Sequence, residues 1–158
     1  MRYKIPRSVL VVIYTPLGEV LLIERANALG AASGMWQSVT GSLDVESESF
    51  AACAAREVME ETALDVDAPD HVLTDWRIEN SYDIWQHYRY RYAPHVTRNT
   101  ERVFGLCVPR AVEVKLAPLE HVNQIWLPWH EAALKVSSAS NEAAIARVGR
   151  LADICLNF

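Results

Sequence analysis

The segment between residues 47 and 62 constrains the fold of this chain more than any other. It consists mostly of strong helix formers such as Ala, Arg, Glu and Met, which predicts a helix. With about 3.6 residues per turn, this helix projects Glu57, Glu60 and Glu61 from one face and places its apolar residues broadly opposite. The segment therefore predicts a helix that packs one side against a sheet and presents a carboxylate-rich side to ligands.

The three glutamates suggest a divalent-metal site. Carboxylates gathered on one helix face repel one another and raise each other's pKa, so helix packing alone gives no reason to collect them. Mg²⁺ prefers carboxylate oxygens, retained waters and substrate phosphates, whereas zinc favours His and Cys ligands. The alternative interpretation is a solvated helix face with an Arg–Glu pair, which is the more common explanation for a bare cluster of this kind.

Outside this helix, short runs of apolar and β-branched residues predict a β-sheet. Two apolar runs, residues 8–14 and 19–25, are joined by a turn containing Pro16 and Gly18, which predicts a β-hairpin whose first strand is central and buried on both faces. A loop is expected from there to Gly34. Further strands are predicted over residues 35–41, 71–78, 82–92, 102–108 and 111–116.

The ends of the helices and one long loop are also predicted. Ser47 or Ser49 is available as the N-cap of the acidic helix. A closing helix is predicted over residues 140–156, because its apolar residues recur at helical spacing after a polar start. Residues 94–101 form a polar stretch that is expected to be a loop.

Composition narrows the class of protein. The chain has 158 residues, 51% of them hydrophobic, which suits one domain with a sizeable core. A net charge of −5 argues against nonspecific nucleic-acid binding, which requires a basic surface. The cysteines, Cys53, Cys107 and Cys155, fit neither a disulfide framework nor a zinc pattern and are expected to be buried thiols. With no secretory signal or membrane-spanning run, the sequence predicts a cytoplasmic protein without a membrane partner.

A longer pattern around the acidic helix resembles the Nudix box. It comprises Gly41, Glu48 and the run Arg56-Glu57-Val58-x-Glu60-Glu61-x-x-Leu64. The resemblance implies an α/β fold in which a mixed β-sheet is sandwiched between helices (α/β/α), with residues 1–158 forming a single Nudix hydrolase domain. Two departures stand out: Gly41 lies one residue too far upstream, which implies a one-residue insertion within residues 42–47, and Ala63 replaces the usual glycine, which enters the left-handed region more easily.

The resemblance also implies roles for the residues of the box. Glu57 would be a metal ligand and a candidate general base, and Glu60 and Glu61 would be further ligands. Arg56 would pair with Glu48 and orient Glu57, since a bidentate guanidinium fixes the angle of a carboxylate as well as its charge. The implied cofactor is Mg²⁺, which Mn²⁺ could replace, and a backbone carbonyl near residues 40–41 could complete its coordination.

Two segments outside the box, residues 36–41 and 91–101, are similar to one Nudix branch, the bacterial dihydroneopterin triphosphate diphosphatases. This similarity implies hydrolysis of dihydroneopterin triphosphate to the monophosphate and pyrophosphate, a step of folate biosynthesis. Two alternatives stay open: a Nudix (d)NTP pyrophosphohydrolase of other specificity, and a non-catalytic Nudix-like module that senses a nucleotide. The pterin ring could stack on Trp36 or on an aromatic residue of residues 82–92, and the sequence does not predict an oligomeric state.

The same similarity places substrate contacts and one more ligand outside the box. Lys4, Arg25, Thr40 and Ser138 fall at substrate-binding positions, and Glu120 falls at an additional metal-ligand position, where it is also a candidate general base. Each has an ordinary alternative. Lys4 and Arg25 could be surface cations at strand ends, Ser138 could cap the closing helix, and Glu120 could be a surface acid.

Overall fold

The structure, a computed structural model, describes residues 2–156 and the side chains of residues 2–151. The strands are β1 (Arg7–Tyr14), β2 (Glu19–Ala26), β3 (Ala32–Gln37), β4 (Val39–Ser42), β5 (Val72–Asp83), β6 (Arg98–Cys107) and β7 (His121–Pro128). The α-helices are α1 (Phe50–Thr62), α2 (Trp129–Lys135) and α3 (Ala139–Leu156). A short 3₁₀ helix, Gln86–Arg91, lies between β5 and β6.

The strands form one mixed sheet in the order β3-β2-β1-β6-β5, with β4 added to β1 and β7 added to β2. The β1–β6 pair is parallel, and the other pairs are antiparallel. The predicted hairpin of β1 and β2 is confirmed. The interior of β1 is buried throughout, as expected for a central strand covered on both faces.

Helices cover both faces of the sheet, which confirms the predicted α/β/α arrangement. Side chains alternate between the faces along β1. Val9 and Val11 pack into a core with α1 residues such as Val58. Leu10 and Val12 pack on the other face into a second core that includes residues of α2 and α3.

Helix α1 has a defined cap at each end. The side chain of Ser49, one of the two predicted N-caps, accepts a hydrogen bond from the Ala52 N–H. At the other end Ala63 has φ 61° and donates its N–H to the Met59 carbonyl oxygen. This position therefore adopts the left-handed conformation for which the Nudix pattern supplies glycine. Alanine is less stable than glycine in this conformation, because its Cβ lies too close to the backbone.

The single strand predicted over residues 35–41 is two strands, because the chain changes partner at Ser38. Strand β3 pairs with β2, and β4 pairs with β1. The break is held by Asn141 of α3, whose Oδ1 accepts from the Ser38 N–H at 2.9 Å and whose Nδ2 donates to the Ser38 hydroxyl at 2.9 Å. The predicted loop before Gly34 is also shorter than expected, since β3 begins at Ala32.

The predicted strand over residues 82–92 is wrong beyond Asp83. Strand β5 continues through the expected break after residue 78, and the 3₁₀ helix follows it. The aromatic residues there pack on one another instead of alternating across a sheet: the rings of Trp85 and Tyr88 are stacked, with centroids 6.4 Å apart. Aromatic residues favour strands only where a neighbouring strand offers a surface for packing. The loop predicted over residues 94–101 ends early, because β6 begins at Arg98.

The predicted strand over residues 111–116 is absent. The backbone N–H and C=O of Val114 each bond to the side chain of Gln124, both at 2.7 Å, so this segment is held by a side chain and not by a strand ladder. Neither strand β7 nor helix α2 was predicted from the sequence.

Two of the three cysteines lie among the residues whose side chains are described. Cys53 is buried, as predicted, and burial raises the pKa of its thiol to about 12. Cys107 is only half-buried, and Cys155 lies outside the residues whose side chains are described.

Across residues 2–156, every helix is too short or too polar to cross a bilayer.

Candidate active site

Arg56 organises the acidic face of α1. Its Nε and Nη2 donate to the two carboxylate oxygens of Glu48 at 2.9 and 3.0 Å, and its Nη1 donates to Glu57 Oε1 at 2.9 Å. Nη2 also donates to the Ser42 carbonyl oxygen at 3.0 Å. The guanidinium is thus anchored on Glu48 while it bonds to the Glu57 carboxylate, which is the contact that the Nudix resemblance implies.

Only glycine at position 41 leaves room for this conformation of the Glu57 side chain. A Cβ at position 41 would lie 2.0 Å from Glu57 Cδ and 2.2 Å from its Oε1. The Nudix glycine is thus required here for a close approach of side chain to backbone, because Gly41 has no positive φ. The inserted residue lies in the loop between β4 and α1, and the close contact between Gly41 and Glu57 is present in this chain despite it.

Burial raises the pKa of two of the helix carboxylates. The pKa of Glu57 rises to about 7 because of burial, and Arg56 partly opposes the rise. The pKa of Glu61 rises to about 9, again mainly because of burial, and the nearby charges of Glu57 and Glu120 add to it. The Glu61 side chain is 5% exposed, and its Oε2 has no hydrogen-bond partner among the described residues. Such a carboxylate gains free energy by meeting a cation.

Glu120 and His121 complete a cluster around Glu61. One ligand atom from each of these three residues lies within 4.8 Å of the others. The cluster forms because β7 pairs with β2, which brings His121 opposite Arg25. The Ala26 N–H also donates to the Glu120 carbonyl oxygen at 2.9 Å.

Sequence reasoning missed His121, although it identified its neighbour Glu120. The imidazole is buried, and neither of its ring nitrogens has a hydrogen-bond partner among residues 2–151. Burial and the charge of Arg25 lower its pKa to about 4, so the ring is neutral at pH 7. The run Leu119-Glu120-His121 contained the signal, but a histidine in a predicted loop carries none of the periodicity that marks the helix.

Glu60 is placed differently from the other two helix glutamates. Its side chain is 55% exposed and meets Arg56 Nη1 at 3.4 Å, as an i,i+4 pair. It raises the pKa of Glu57, so it lies close enough to act on that carboxylate electrostatically. Glu60 therefore stands at the rim of the acidic face, beside Glu57.

The acidic face opens into a cleft of about 670 Å³, called here the outer cleft. It is lined by Glu57, Glu61, Glu120 and His121 and by two cations, Lys4 before β1 and Arg25 near the end of β2. Burial, Arg91 and Arg25 lower the pKa of Lys4. Negative and positive groups thus face the same space, an arrangement suited to a metal-bound polyphosphate.

A second, smaller space of about 240 Å³ lies on the opposite face of the sheet and is called here the inner cavity. Residues on its wall include Trp36, Tyr82, Tyr92, Asn99, Glu101 and Ser138. Sequence reasoning did not select Asn99 or Glu101 as site residues, although both lie in the segment at residues 91–101 that carried the family resemblance.

Strand β4 joins the two spaces. Cross-strand partners share a face. Gly41 pairs with Val9 and faces α1, whereas Thr40 pairs with Leu10 and faces α3. Lys4, Thr40 and Gly41 line both the outer cleft and the inner cavity. A ligand of sufficient length can therefore reach from one space to the other past the edge of β4.

Ser138 lies on the wall of the inner cavity, and it also caps α3. Its hydroxyl accepts from the Asn141 N–H at 3.3 Å and lies 3.0 Å from the Ser140 hydroxyl. The capping role considered from the sequence is therefore present, and a second role in ligand contact is compatible with its position on the wall.

The donors in the outer cleft fit a divalent cation. Glu61 Oε2 has no hydrogen-bond partner among the described residues, and Glu120 lies close to it. The pKa values of Glu57 and Glu61 are raised, so their ionised forms need a nearby positive charge for stabilisation, which a divalent cation would supply. A neutral His121 adds a nitrogen donor at the same place.

Comparison with known proteins supports one family. Residues 4–148 match the family described as the NUDIX domain. The chain is 42% identical over 144 residues to the dihydroneopterin triphosphate diphosphatase of Escherichia coli (strain K12), covering 90% of this chain and 91% of that one. It is 35% identical over 150 residues to the enzyme of the same name from Haemophilus influenzae, covering 93% and 89%.

Solved structures agree. The structure of the Escherichia coli dihydroneopterin triphosphate pyrophosphohydrolase superposes with a TM-score of 0.81 at 40% identity, covering 93% of this chain and 97% of that one. A Nudix hydrolase structure from Listeria monocytogenes shares the fold, with a TM-score of 0.75 at 22% identity and coverage of 96% and 97%. Together with the box residues and their geometry, these matches show that the chain belongs to the Nudix family.

Proposed function

We propose that this protein hydrolyses dihydroneopterin triphosphate to dihydroneopterin monophosphate and pyrophosphate, with Mg²⁺ as its cofactor. Mn²⁺ is expected to replace Mg²⁺, because both suit carboxylate ligands. The reaction would serve folate biosynthesis, and residues 1–158 would act as one Nudix domain. The observation that carries the proposal is the seating of Glu57, which Arg56 and Gly41 hold at the wall of a cleft shared with Glu61 and Glu120.

Three carboxylates are proposed as the principal metal ligands: Glu57, Glu61 and Glu120. Their support is the shared cleft and the closeness of Glu61 to Glu120 and His121. Glu60 is proposed as a further ligand at the rim. A divalent ion, when bound, neutralises phosphate charge and makes a water molecule easier to deprotonate.

The side chains of this protein would supply the remaining parts of catalysis. Arg56, anchored on Glu48, keeps the Glu57 carboxylate at a fixed angle. Glu57 is the first candidate for the base, because Arg56 holds its carboxylate in the cleft that would contain the phosphates. Glu120 is the alternative base, since it lies in the same cleft with an exposed carboxylate.

The cationic side of the cleft would bind the phosphates. Lys4 and Arg25 line it, and their charges compensate those of a triphosphate. Thr40 lies where the outer cleft and the inner cavity meet, which suits a contact between the phosphate chain and the ring-bearing part of the substrate. Ser138 would contact the substrate from the cavity wall.

The proposal is tested by pyrophosphate release from a panel of triphosphates, with and without Mg²⁺. The expected result is Mg²⁺-dependent release in which dihydroneopterin triphosphate has a higher kcat/KM than dGTP. A higher kcat/KM for dGTP or for an oxidised nucleotide would favour the Nudix alternative of other specificity. If the protein binds these compounds and releases no pyrophosphate from any of them, it is the non-catalytic sensing module.

A further inference from the structure

A second buried acid, outside the acidic helix, lies in the inner cavity. Glu101 on β6 is 6% exposed, and burial raises the pKa of its carboxyl group. It faces α3 and not α1, because its partner Ser8 on β1 precedes Leu10 on that same face. Glu101 therefore lies across the sheet from Glu57 and plays no part in the chemistry proposed for the outer cleft.

The hydrogen bonds of Glu101 leave part of its carboxylate free for a ligand. It accepts from Asn80 Nδ2 at 3.4 Å and from the Ser140 hydroxyl. An ionised carboxylate can accept about four hydrogen bonds. Since the residue lines the cavity, its remaining capacity is available to a molecule that enters there.

Asn99, two residues earlier on β6, adds an independent sign of a missing ligand. Its side chain is 3% exposed, and its Nδ2 donates to the Ser8 hydroxyl at 2.8 Å and to the Tyr82 hydroxyl at 2.9 Å. Its Oδ1 is buried and has no hydrogen-bond partner among residues 2–151. A buried, unpaired acceptor is costly unless a ligand supplies the donor.

The cavity therefore presents hydrogen-bond acceptors between aromatic side chains. Trp36, Tyr82 and Tyr92 line it and suit a flat heterocycle. The ligand edge must carry N–H donors close together, since both Glu101 and Asn99 offer oxygen acceptors. A 2-amino-4-oxopyrimidine has such an edge, with its ring N–H beside its amino group, whereas adenine places one amino group beside a ring acceptor.

We propose that Glu101 and Asn99 bind the N–H donor edge of a 2-amino-4-oxopyrimidine ring and so determine which triphosphates are selected. The inference rests on the proposed function, because it assigns the ring of the substrate to the inner cavity while its phosphates lie in the outer cleft. The edge is common to pterins and guanine, so these residues separate that group of rings from adenine. They do not separate a pterin from guanine.

The test compares Glu101→Gln with wild type in the ratio of kcat/KM for dihydroneopterin triphosphate to kcat/KM for dATP. The glutamine can still bond to Asn80 and Ser140, but it offers one oxygen where the carboxylate offers two. The ratio should fall about 10- to 100-fold, since a buried donor loses its charged partner. The matched control is Glu79→Gln on β5, which faces away from the cavity and pairs with Arg102, and it should leave the ratio unchanged.

A second variant covers the case in which Glu101→Gln folds poorly. Asn99→Leu removes the Oδ1 acceptor together with the two hydrogen bonds of Nδ2, in a side chain of the same branching, and it should lower the same ratio about 2- to 10-fold. Because each ratio compares two substrates on one protein preparation, a smaller folded fraction cancels. An unchanged ratio in both variants would overturn the inference.

A binding measurement separates this inference from the proposed reaction. Calorimetric titration with neopterin, which has no phosphate, needs neither metal nor turnover. Wild type and Glu79→Gln should bind it alike, and Glu101→Gln should bind it at least about 10-fold more weakly. If wild type releases no pyrophosphate from any triphosphate but this Glu101-dependent binding is found, the proposed function fails and the ring assignment stands. Equal binding by all three proteins would overturn the ring assignment while leaving the reaction untouched.

Discussion

Buried and half-buried acids lie on both faces of the same sheet, but they differ in how they are held. On the α1 face, Glu57 and Glu61 belong to one helix and face a cleft that also contains Lys4 and Arg25. On the α3 face, Glu101 belongs to a strand and lies in a smaller cavity among aromatic side chains. The first set suits a cation and phosphates, and the second suits the polar edge of a ring. The difference indicates that the residues for hydrolysis lie on one face of the sheet and the residues that select the substrate ring lie on the other.

The largest expected effect comes from removing the charge of Glu57. Glu57→Gln should lower kcat for every triphosphate by about 10²- to 10⁴-fold, the range expected for loss of a residue that transfers a proton or holds a metal. Steady-state pyrophosphate release measures it. Glu46→Gln, an exposed glutamate on the loop before α1, is the control and should keep wild-type kcat. Full activity in Glu57→Gln would show that Glu57 on the α1 face is not needed for catalysis.

A methyl group at position 41 should have the next largest effect. In Gly41→Ala the added Cβ would overlap the Glu57 carboxylate, which must then move away. A displacement of about 1 Å in a reacting group can cost about 10²-fold in rate, so kcat should fall by that order. The control is Gly149→Ala, where the added Cβ meets the ring of Trp129. Its effect should be on the melting temperature and not on kcat per folded molecule, so equal kcat losses in both variants would contradict the steric explanation.

Replacing Arg56 by lysine tests orientation separately from charge. Lysine keeps the positive charge but cannot bond to both oxygens of Glu48 while also reaching Glu57. The variant Arg56→Lys should lose about 10- to 100-fold in kcat, as is usual for residues that orient a ligand, and the dihydroneopterin-to-dATP ratio should stay constant. Arg102→Lys is the matched control and should change neither value, because Arg102 bridges Asp75 and Glu79 and lines neither the outer cleft nor the inner cavity.

Metal binding should depend on pH on the α1 face. The folded-state pKa values, about 7 for Glu57 and about 9 for Glu61, are raised, so the metal-free protein holds protons there that the unfolded chain releases near pH 4.5. The stability that these groups contribute is present below that pH and is lost as pH rises toward 9. Added Mg²⁺ displaces these protons, so its affinity should increase with pH, by up to about tenfold per unit for each proton released.

Melting curves with and without Mg²⁺ at pH 6 and pH 8 measure this effect. The increase in melting temperature at a fixed Mg²⁺ concentration should be larger at pH 8. An increase that is equal or smaller at pH 8 would mean that the metal does not bind where these protons are held. Glu101→Gln should leave the difference between the two pH values unchanged, because Glu101 lies on the opposite face of the sheet.

The same comparison explains which features the sequence could predict. The α1 face depends on local spacing: helical periodicity brings the glutamates together, and Arg56 reaches Glu48 within the same short segment, so both follow from residues a few positions apart. The inner cavity depends on the parallel pairing of β1 with β6, which brings Ser8 beside Glu101 across a gap of 93 positions. Neither residue carries a local signal of that pairing.

The strand and helix errors have the same origin. The residues after Asp83 have the composition of a strand but no neighbouring strand to pair with, so they form a 3₁₀ helix. Residues 111–116 form no strand, and the side chain of Gln124 bonds to the Val114 backbone in place of a neighbouring strand. In contrast, β1, β2, α1 and α3 were predicted to within a few residues, since each has a strong periodic pattern of its own.

The separation of the two faces can be measured directly as kcat/KM for dihydroneopterin triphosphate and for dATP in wild type, Glu57→Gln and Glu101→Gln. If chemistry and ring selection are separated by the sheet, Glu57→Gln lowers both values by the same factor and keeps their ratio. Glu101→Gln then lowers the ratio mainly through the value for dihydroneopterin triphosphate. A change of the ratio in Glu57→Gln as large as that in Glu101→Gln, or an equal loss of both values in Glu101→Gln, would contradict this separation.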